Sequence, residues 1–215
     1  MGAEALGDAL IAIERVAFRQ TFRQVWRAVV NDFGMTDPTD RCYEQILVLR
    51  CKAGDDAAFT ELVERYSPRL RYYLRKMLDQ PGSADDVLQE VWLDVFRGLP
   101  KLADTLAFPA WIYRVARNRC ALVWRKRDRA DRLAMELQTL GESDEEPEFN
   151  AEDAARVHAA LDLLEPEHRE VLVLRFLEDM SYEDVAKTVG CQLGTVRSRL
   201  HYAKRALRLA LERKH

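Results

Sequence analysis

The stretch that most constrains this chain is residues 172–207, LVLRFLEDMSYEDVAKTVGCQLGTVRSRLHYAKRAL. Ser181-Tyr182-Glu183-Asp184 is a capping-box-like helix start, followed by apolar Val185, Ala186 and Val189. Gly190 then ends the helix, because glycine readily takes the left-handed conformation that closes one. From Thr195 to about Leu211 a second helix buries Val196, Leu200, Ala203 and Leu207, spaced three and four apart. A short helix, a glycine turn and a basic helix predict a helix-turn-helix, whose second helix can enter the major groove of DNA. Arg197, Ser198, Arg199, His201 and Tyr202 would project from its first turns. Arginine can read guanine through two parallel hydrogen bonds, whereas Lys204 and Arg205 suit phosphates.

The average charge would argue against a nucleic-acid binder: 215 residues carry a formal net charge of −3. The charge is segregated, however. Residues 114–132 hold eight basic residues against Asp128 and Asp131, residues 136–153 hold eight acids and no base, and residues 193–215 hold seven basic residues against Glu212. Blocks of alternating sign steer toward a polyanion. The length fits two small cores joined by a linker. Cys42, Cys51, Cys120 and Cys191 have no ligand spacing and read as small apolar residues in a reducing cytosol. No apolar run reaches a membrane span, and Glu14, Arg15, Arg19, Arg23 and Arg27 exclude a signal peptide or membrane helix at the start.

In chain order, residues 1–34 form an amphipathic helical stripe (Leu6, Leu10, Ile13, Phe18, Phe22, Val25, Val29, Phe33). It is a docking helix, a partner-binding extension, or a translated upstream segment before a working start at Met35. A short helix from Tyr43 to Cys51 follows, with Asp55 or Asp56 as cap of the next, which runs through Phe59, Leu62, Tyr66, Leu70, Tyr73 and Met77 and contains Pro68. Ser83 and Asp86 predict another capped start. The helix beyond them buries Val87, Leu88, Val91 and Val95 and shows an acidic face (Asp85, Asp86, Gln89, Glu90, Asp94) that suits a protein partner better than DNA. Residues 98–108 read as a loop. Phe108-Pro109 opens a helix in which Trp111, Tyr113 and Trp124 interleave with Arg114, Arg117, Arg119, Arg125, Lys126 and Arg127. Cations neutralise phosphates and aromatic faces can stack on unpaired bases, although core packing is the competing role for each ring. Residues 128–151 read as an acidic linker, either solubilising or lying along a basic channel of a partner. Helices through Val157 to Leu164 and from His168 to Leu177 lead back to the helix-turn-helix.

SADDVLQEVWLDVFRGLPKL, then FPAWIYRVARNR, then LEPEHREVLVLRFLEDMSYEDVAKTVGCQLGTVRSRLHYAKRAL, in that order around an acidic linker, resembles the extracytoplasmic-function (group 4) sigma factors of bacterial RNA polymerase over about residues 43–211. The resemblance implies an all-α chain of two small helical domains, a region 2 domain (43–127) and a region 4 helix-turn-helix domain (152–215) joined by a linker (128–151), and the N-terminal amphipathic extension (1–34) lies outside it. It implies docking on the beta-prime clamp helices of core polymerase through Asp85, Asp86, Gln89, Glu90, Trp92, Leu93 and Phe96. Contacts to the melted minus-ten element would come from Trp111, Arg114, Arg117, Asn118, Trp124, Arg125 and Lys126. Contacts to the minus-thirty-five element would come from Thr195, Arg197, Ser198, Arg199, His201, Tyr202 and Arg205, with region 4 on the beta flap. Promoter DNA, core RNA polymerase and an anti-sigma factor are the implied partners. Tyr202 stands where the family often has Arg, and Leu122 where it often has Asp.

No catalytic set accompanies these features: His158, His168, His201 and His215 lack a partner at ligand or triad spacing. The expectation is a cytoplasmic initiation factor with no enzymatic activity, cofactor, metal or membrane insertion. The alternative is a helix-turn-helix regulator with a separate sensing domain.

Overall fold

Spacings of three and four become helix throughout. The computed structural model describes residues 38–78, 81–133 and 152–212. Its helices are α1 (Pro38–Lys52), α2 (Asp56–Met77), α3 (Ala84–Gly98), α4 (Phe108–Leu133), α5 (Glu152–Asp162), α6 (Pro166–Leu172), α7 (Tyr182–Val189) and α8 (Leu193–Glu212). No strand occurs among the described residues, so the all-α expectation holds. The amphipathic segment 1–34 and most of the expected linker lie outside the described residues.

Local chemistry fixes most helix ends. Gly54 turns the chain at φ +87°, and the Asp55 side chain then accepts the Ala58 N–H at 3.0 Å to cap α2. Pro68 lies inside α2 and withholds one backbone donor, yet the helix continues to Met77. Ser181 caps α7 by accepting the Asp184 N–H at 3.0 Å, and Gly190 closes it at φ +70°. The expected cap at Ser83 does not form. A 3-10 turn, Pro81–Ser83, holds the Ser83 backbone at φ −84°, ψ −7°, whereas capping needs an extended residue. The expected loop after α3 is wound into two further 3-10 turns, Leu99–Lys101 and Thr105–Ala107. Helix α4 runs past Arg127 to Leu133, because arginine, alanine and leucine favour helix without an apolar stripe.

Tyr66, Tyr73, Phe108, Ile112 and Tyr113 fill the middle of the first half, fully buried. Tyr66 meets Phe108 edge-on at 5.3 Å, and Tyr73 meets Tyr113 likewise. Leu161, Leu172, Leu174, Val185, Val196 and Leu200 fill the second half. The two halves share one continuous cluster of buried residues, because α6 packs on α2 and α7 on α4.

Ser181→Ala removes the cap of α7 and is expected to lower stability by about 1 kcal/mol, read as a lower thermal midpoint.

Candidate functional site

Three exposed helix faces carry the candidate residues. On α3 the outer face presents Asp85, Asp86, Gln89 and Glu90 to solvent, together with Leu93 (48% exposed) and Phe96 (60% exposed). The acids are less free than their spacing suggests. Arg71 donates to Asp85 at 2.6 Å and holds its carboxyl below the usual carboxylate range. Arg119 of α4 reaches across to Glu90 at 2.9 Å and also pairs with Asp94. The face is therefore a partly neutralised acidic surface around an apolar pair. Trp92 is turned inward: its indole donates to Ser67 Oγ at 3.0 Å, and its ring stands edge-on to Phe59 at 5.9 Å.

Helix α4 separates its rings from its cations. Tyr113 is fully buried, and Trp111 and Trp124 pack half-buried against the core. A β-carbon on Gly98 would lie 2.8 Å from the Trp111 ring, so that ring covers bare backbone at the end of α3. Arg114, Asn118 and Arg125 face solvent one, or three, helical turns apart. Arg117 turns to the other side, where its Nε donates to Glu170 at 2.9 Å. The side chain of Lys126 is outside the described residues. Leu122 is 42% exposed one turn from Asn118, on the solvent side of the helix.

On α8, Arg197, Ser198, His201, Tyr202 and Arg205 form one exposed surface. Thr195 is half-buried, and its carbonyl accepts the Ser198 hydroxyl at 3.0 Å. His201 and Tyr202 stack edge-on at 5.4 Å, with Tyr202 56% exposed. Arg199 lies off this surface and pairs with Glu167 of α6 at 2.5 Å. Lys204, read from sequence as a phosphate contact, sits over the Phe176 ring at 5.3 Å.

The sequence reading missed a group of polar contacts that join the halves. Tyr73 donates to Glu170 at 2.8 Å, Arg69 pairs with Glu178, and Lys76 pairs with Asp162 at 2.8 Å. Tyr72 Oη lies 2.8 Å from His158 Nδ1. Burial, and then the charge of Lys76, push His158 down to about 4, with Asp162 opposing. Burial pushes the Cys120 thiol up to about 12, which suits its reading as an apolar residue. Among the described residues no cluster could hold a metal ion, and no helix is long and apolar enough to cross a membrane.

Comparison with known proteins returns one family twice. The family model for sigma-70 region 2 matches residues 62–130, and that for sigma-70 region 4 matches residues 154–207. The RNA polymerase sigma-H factor of Pseudomonas aeruginosa is 32% identical over 181 residues, covering 79% of this chain and 94% of that protein. The ECF RNA polymerase sigma factor SigE of Mycolicibacterium smegmatis is 33% identical over 163 residues, covering 72% of this chain and 63% of that protein. Among solved structures, CnrH in complex with the cytosolic domain of CnrY matches with a TM-score of 0.59 and 26% identity, over 80% of this chain and 99% of that one.

Two outcomes follow. His158 gains a proton only well below its unfolded pKa of about 6.5, so its contribution to stability is complete above that pH and is lost as pH falls toward 4. In a titration followed by NMR its ring resonances should therefore stay flat from about pH 7 to about pH 5. Gly98→Ala forces the Trp111 ring aside at a cost of about 1–3 kcal/mol, visible as a shifted tryptophan emission and a lower thermal midpoint.

Proposed function

Because the chain belongs to the sigma-70 family, in its extracytoplasmic-function branch, we propose that α3, α4 and α8 divide between them the contacts of a sigma factor with core RNA polymerase and promoter DNA. The chain directs promoter-specific initiation of transcription. Its region 2 domain spans residues 43–127 and its region 4 domain residues 152–215. Phosphodiester synthesis is the polymerase's, and the chain acts in the cytoplasm without a cofactor.

The observation that carries this division is the sorting of surfaces: each of the three helices buries one apolar stripe and leaves a chemically distinct face outside. Helix α3 docks on the beta-prime clamp helices, with Leu93 and Phe96 as the desolvated centre and Asp85, Asp86, Gln89 and Glu90 as its polar rim, the usual anatomy of a protein interface. Trp92 fixes the position of that face from beneath. Helix α4 takes the opened minus-ten strand. Arg114, Asn118 and Arg125 offer charge and hydrogen bonds, Arg117 and Lys126 add cations, and Trp111 and Trp124 are the rings nearest to unpaired bases. Helix α8 lies in the major groove at the minus-thirty-five element while region 4 rests on the beta flap. Arg197, Ser198, His201, Tyr202 and Arg205 face the DNA, joined by Thr195 in the first turn of the helix and by Arg199 once it leaves Glu167. Tyr202 replaces a cation by an aromatic ring, which favours contact with a thymine methyl over a phosphate. A partner that masks these faces, an anti-sigma factor, belongs to this reading; CnrH is itself held by the cytosolic domain of CnrY in its solved structure.

Run-off transcription with purified core polymerase tests the function: the chain should stimulate initiation on duplex promoters, and no stimulation of core enzyme would sink the reading. Leu93→Ala with Phe96→Ala should weaken core binding about tenfold or more, while stability falls only by the edge-on contact of Phe96 with Phe59 at 5.4 Å, about 0.5–1.5 kcal/mol. Arg197→Ala should lower transcription from promoters carrying the preferred minus-thirty-five sequence, by roughly 1–3 kcal/mol of discrimination.

A further inference from the structure

Between Phe108 and Arg125, the described side chains of α4, the exposed residues are Arg114, Asn118, Leu122 and Arg125. Spacings of four, four and three put them in one row along the helix, roughly 16 Å long at about 1.5 Å of rise per residue. Three of the four suit a polyanion. Arg114 and Arg125 carry no ion pair among the described residues, whereas Arg117 and Arg119 on the flanks are held by Glu170 and by Glu90 and Asp94. Arg125 donates its Nε to the Ala121 carbonyl at 3.1 Å, which steadies it on the outer side of the helix.

Leu122 departs from this pattern. It is 42% exposed, one turn from Asn118 and three residues from Arg125. The other large apolar side chains of α4 turn inward: Ile112 and Tyr113 are fully buried, and Trp111, Val115, Val123 and Trp124 pack against the core. A lone exposed leucine is ordinary on a protein surface. In a row of cations and an amide, however, it is the one side chain with neither charge nor hydrogen bond for a phosphate. Only an apolar part of a strand can cover it without losing a hydrogen bond of its own.

We propose that Leu122 is a specificity-determining residue that lies against one base of the minus-ten element and selects thymine through its C5 methyl group, a role that rests on the assignment of α4 to the opened strand. The methyl group is what sets thymine apart, and apolar side chains read it by contact. An aspartate at the same place would instead accept from the exocyclic amino group of cytosine. Arg114 and Arg125 supply affinity through phosphates while Leu122 supplies preference, since phosphate contacts position a strand and base contacts specify it.

The experiment uses the full-length chain with purified core polymerase and a promoter selected from a randomised minus-ten element. Each thymine of that element, on either strand, is replaced in turn by uracil, which pairs identically and lacks only the methyl group. Initiation by wild type should fall about fourfold at a single position, the worth of one apolar carbon taken out of water. Leu122→Ala should respond equally to thymine and uracil there, with core affinity and the response at other positions unchanged. Leu122→Met should keep the uracil penalty, and Leu122→Asp should move the preference at that position to cytosine. A penalty of equal size in wild type and Leu122→Ala overturns the proposal, as does a selected element without thymine. Loss of core affinity in Leu122→Ala with an unchanged base preference also overturns it and gives the leucine to the polymerase. Should that variant fold poorly, wild type decides: no uracil penalty at any position rules the contact out. Wild-type chain that does not stimulate core enzyme defeats the sigma reading; wild-type chain that transcribes without a Leu122-dependent uracil penalty defeats only the thymine contact.

Discussion

Two phenols at the centre of the molecule each donate to a buried carboxylate from another element, and that requirement sets how α1, α2 and α6 pack. Tyr66 of α2 donates to Glu44 of α1 at 2.6 Å and Tyr73 of α2 donates to Glu170 of α6, while the buried Tyr113 hydroxyl of α4 has no hydrogen-bond partner among the described residues. Burying a phenol or a carboxylate without a partner costs free energy, so within each of the two pairs one group offsets the burial of the other. Burial raises the Glu44 carboxyl above its usual range, with the Tyr66 hydrogen bond opposing. Arg69 then serves twice, pairing with Glu178 and lying over the Tyr66 ring at 5.4 Å. Apolar side chains would accept several neighbouring registers; these directional pairs accept one.

What could be read from the amino-acid order was chemistry acting over a few residues. Asp55 and Ser181 cap their helices because each acceptor is three residues from its donor. The stripe Val196, Leu200, Ala203, Leu207 is buried as its spacing requires. Ser83 had the same local pattern and failed, since Pro81 and Gly82 wind the preceding backbone into a 3-10 turn and aim the serine wrongly. The ion pairs were beyond that reach. Arg119 finds Asp94 and Glu90 on another helix, and Arg117 finds Glu170 across 53 positions of sequence. Counting charges by segment made α3 an acidic face and α4 a free basic one. Folding brings the two together and cancels part of each.

That cancellation shapes the candidate faces. With Glu90 and Asp85 ion-paired, the exposed Leu93 and Phe96 become the most distinctive feature of α3, and hydrophobic contact replaces charge as its main offer to a partner. With Arg117 and Arg199 turned inward, Arg114, Arg125, Arg197 and Arg205 remain as the outward arginines of the described candidate set. The exposed pairs among these, Arg71–Asp85, Arg119–Glu90 and Arg199–Glu167, contribute about 0–1 kcal/mol each, so a polyanion or a partner protein can displace them at small cost.

The contact between Gly98 and Trp111 joins the end of α3 to the first turns of α4 with no space for even a methyl group between them. The two surfaces proposed for different partners thus share a single packed joint. A partner that rolls the last turn of α3 must displace the indole, and the indole carries the start of α4 with it. Should α3 and α4 hold different partners, this contact is the place where a shift on one face would reach the other.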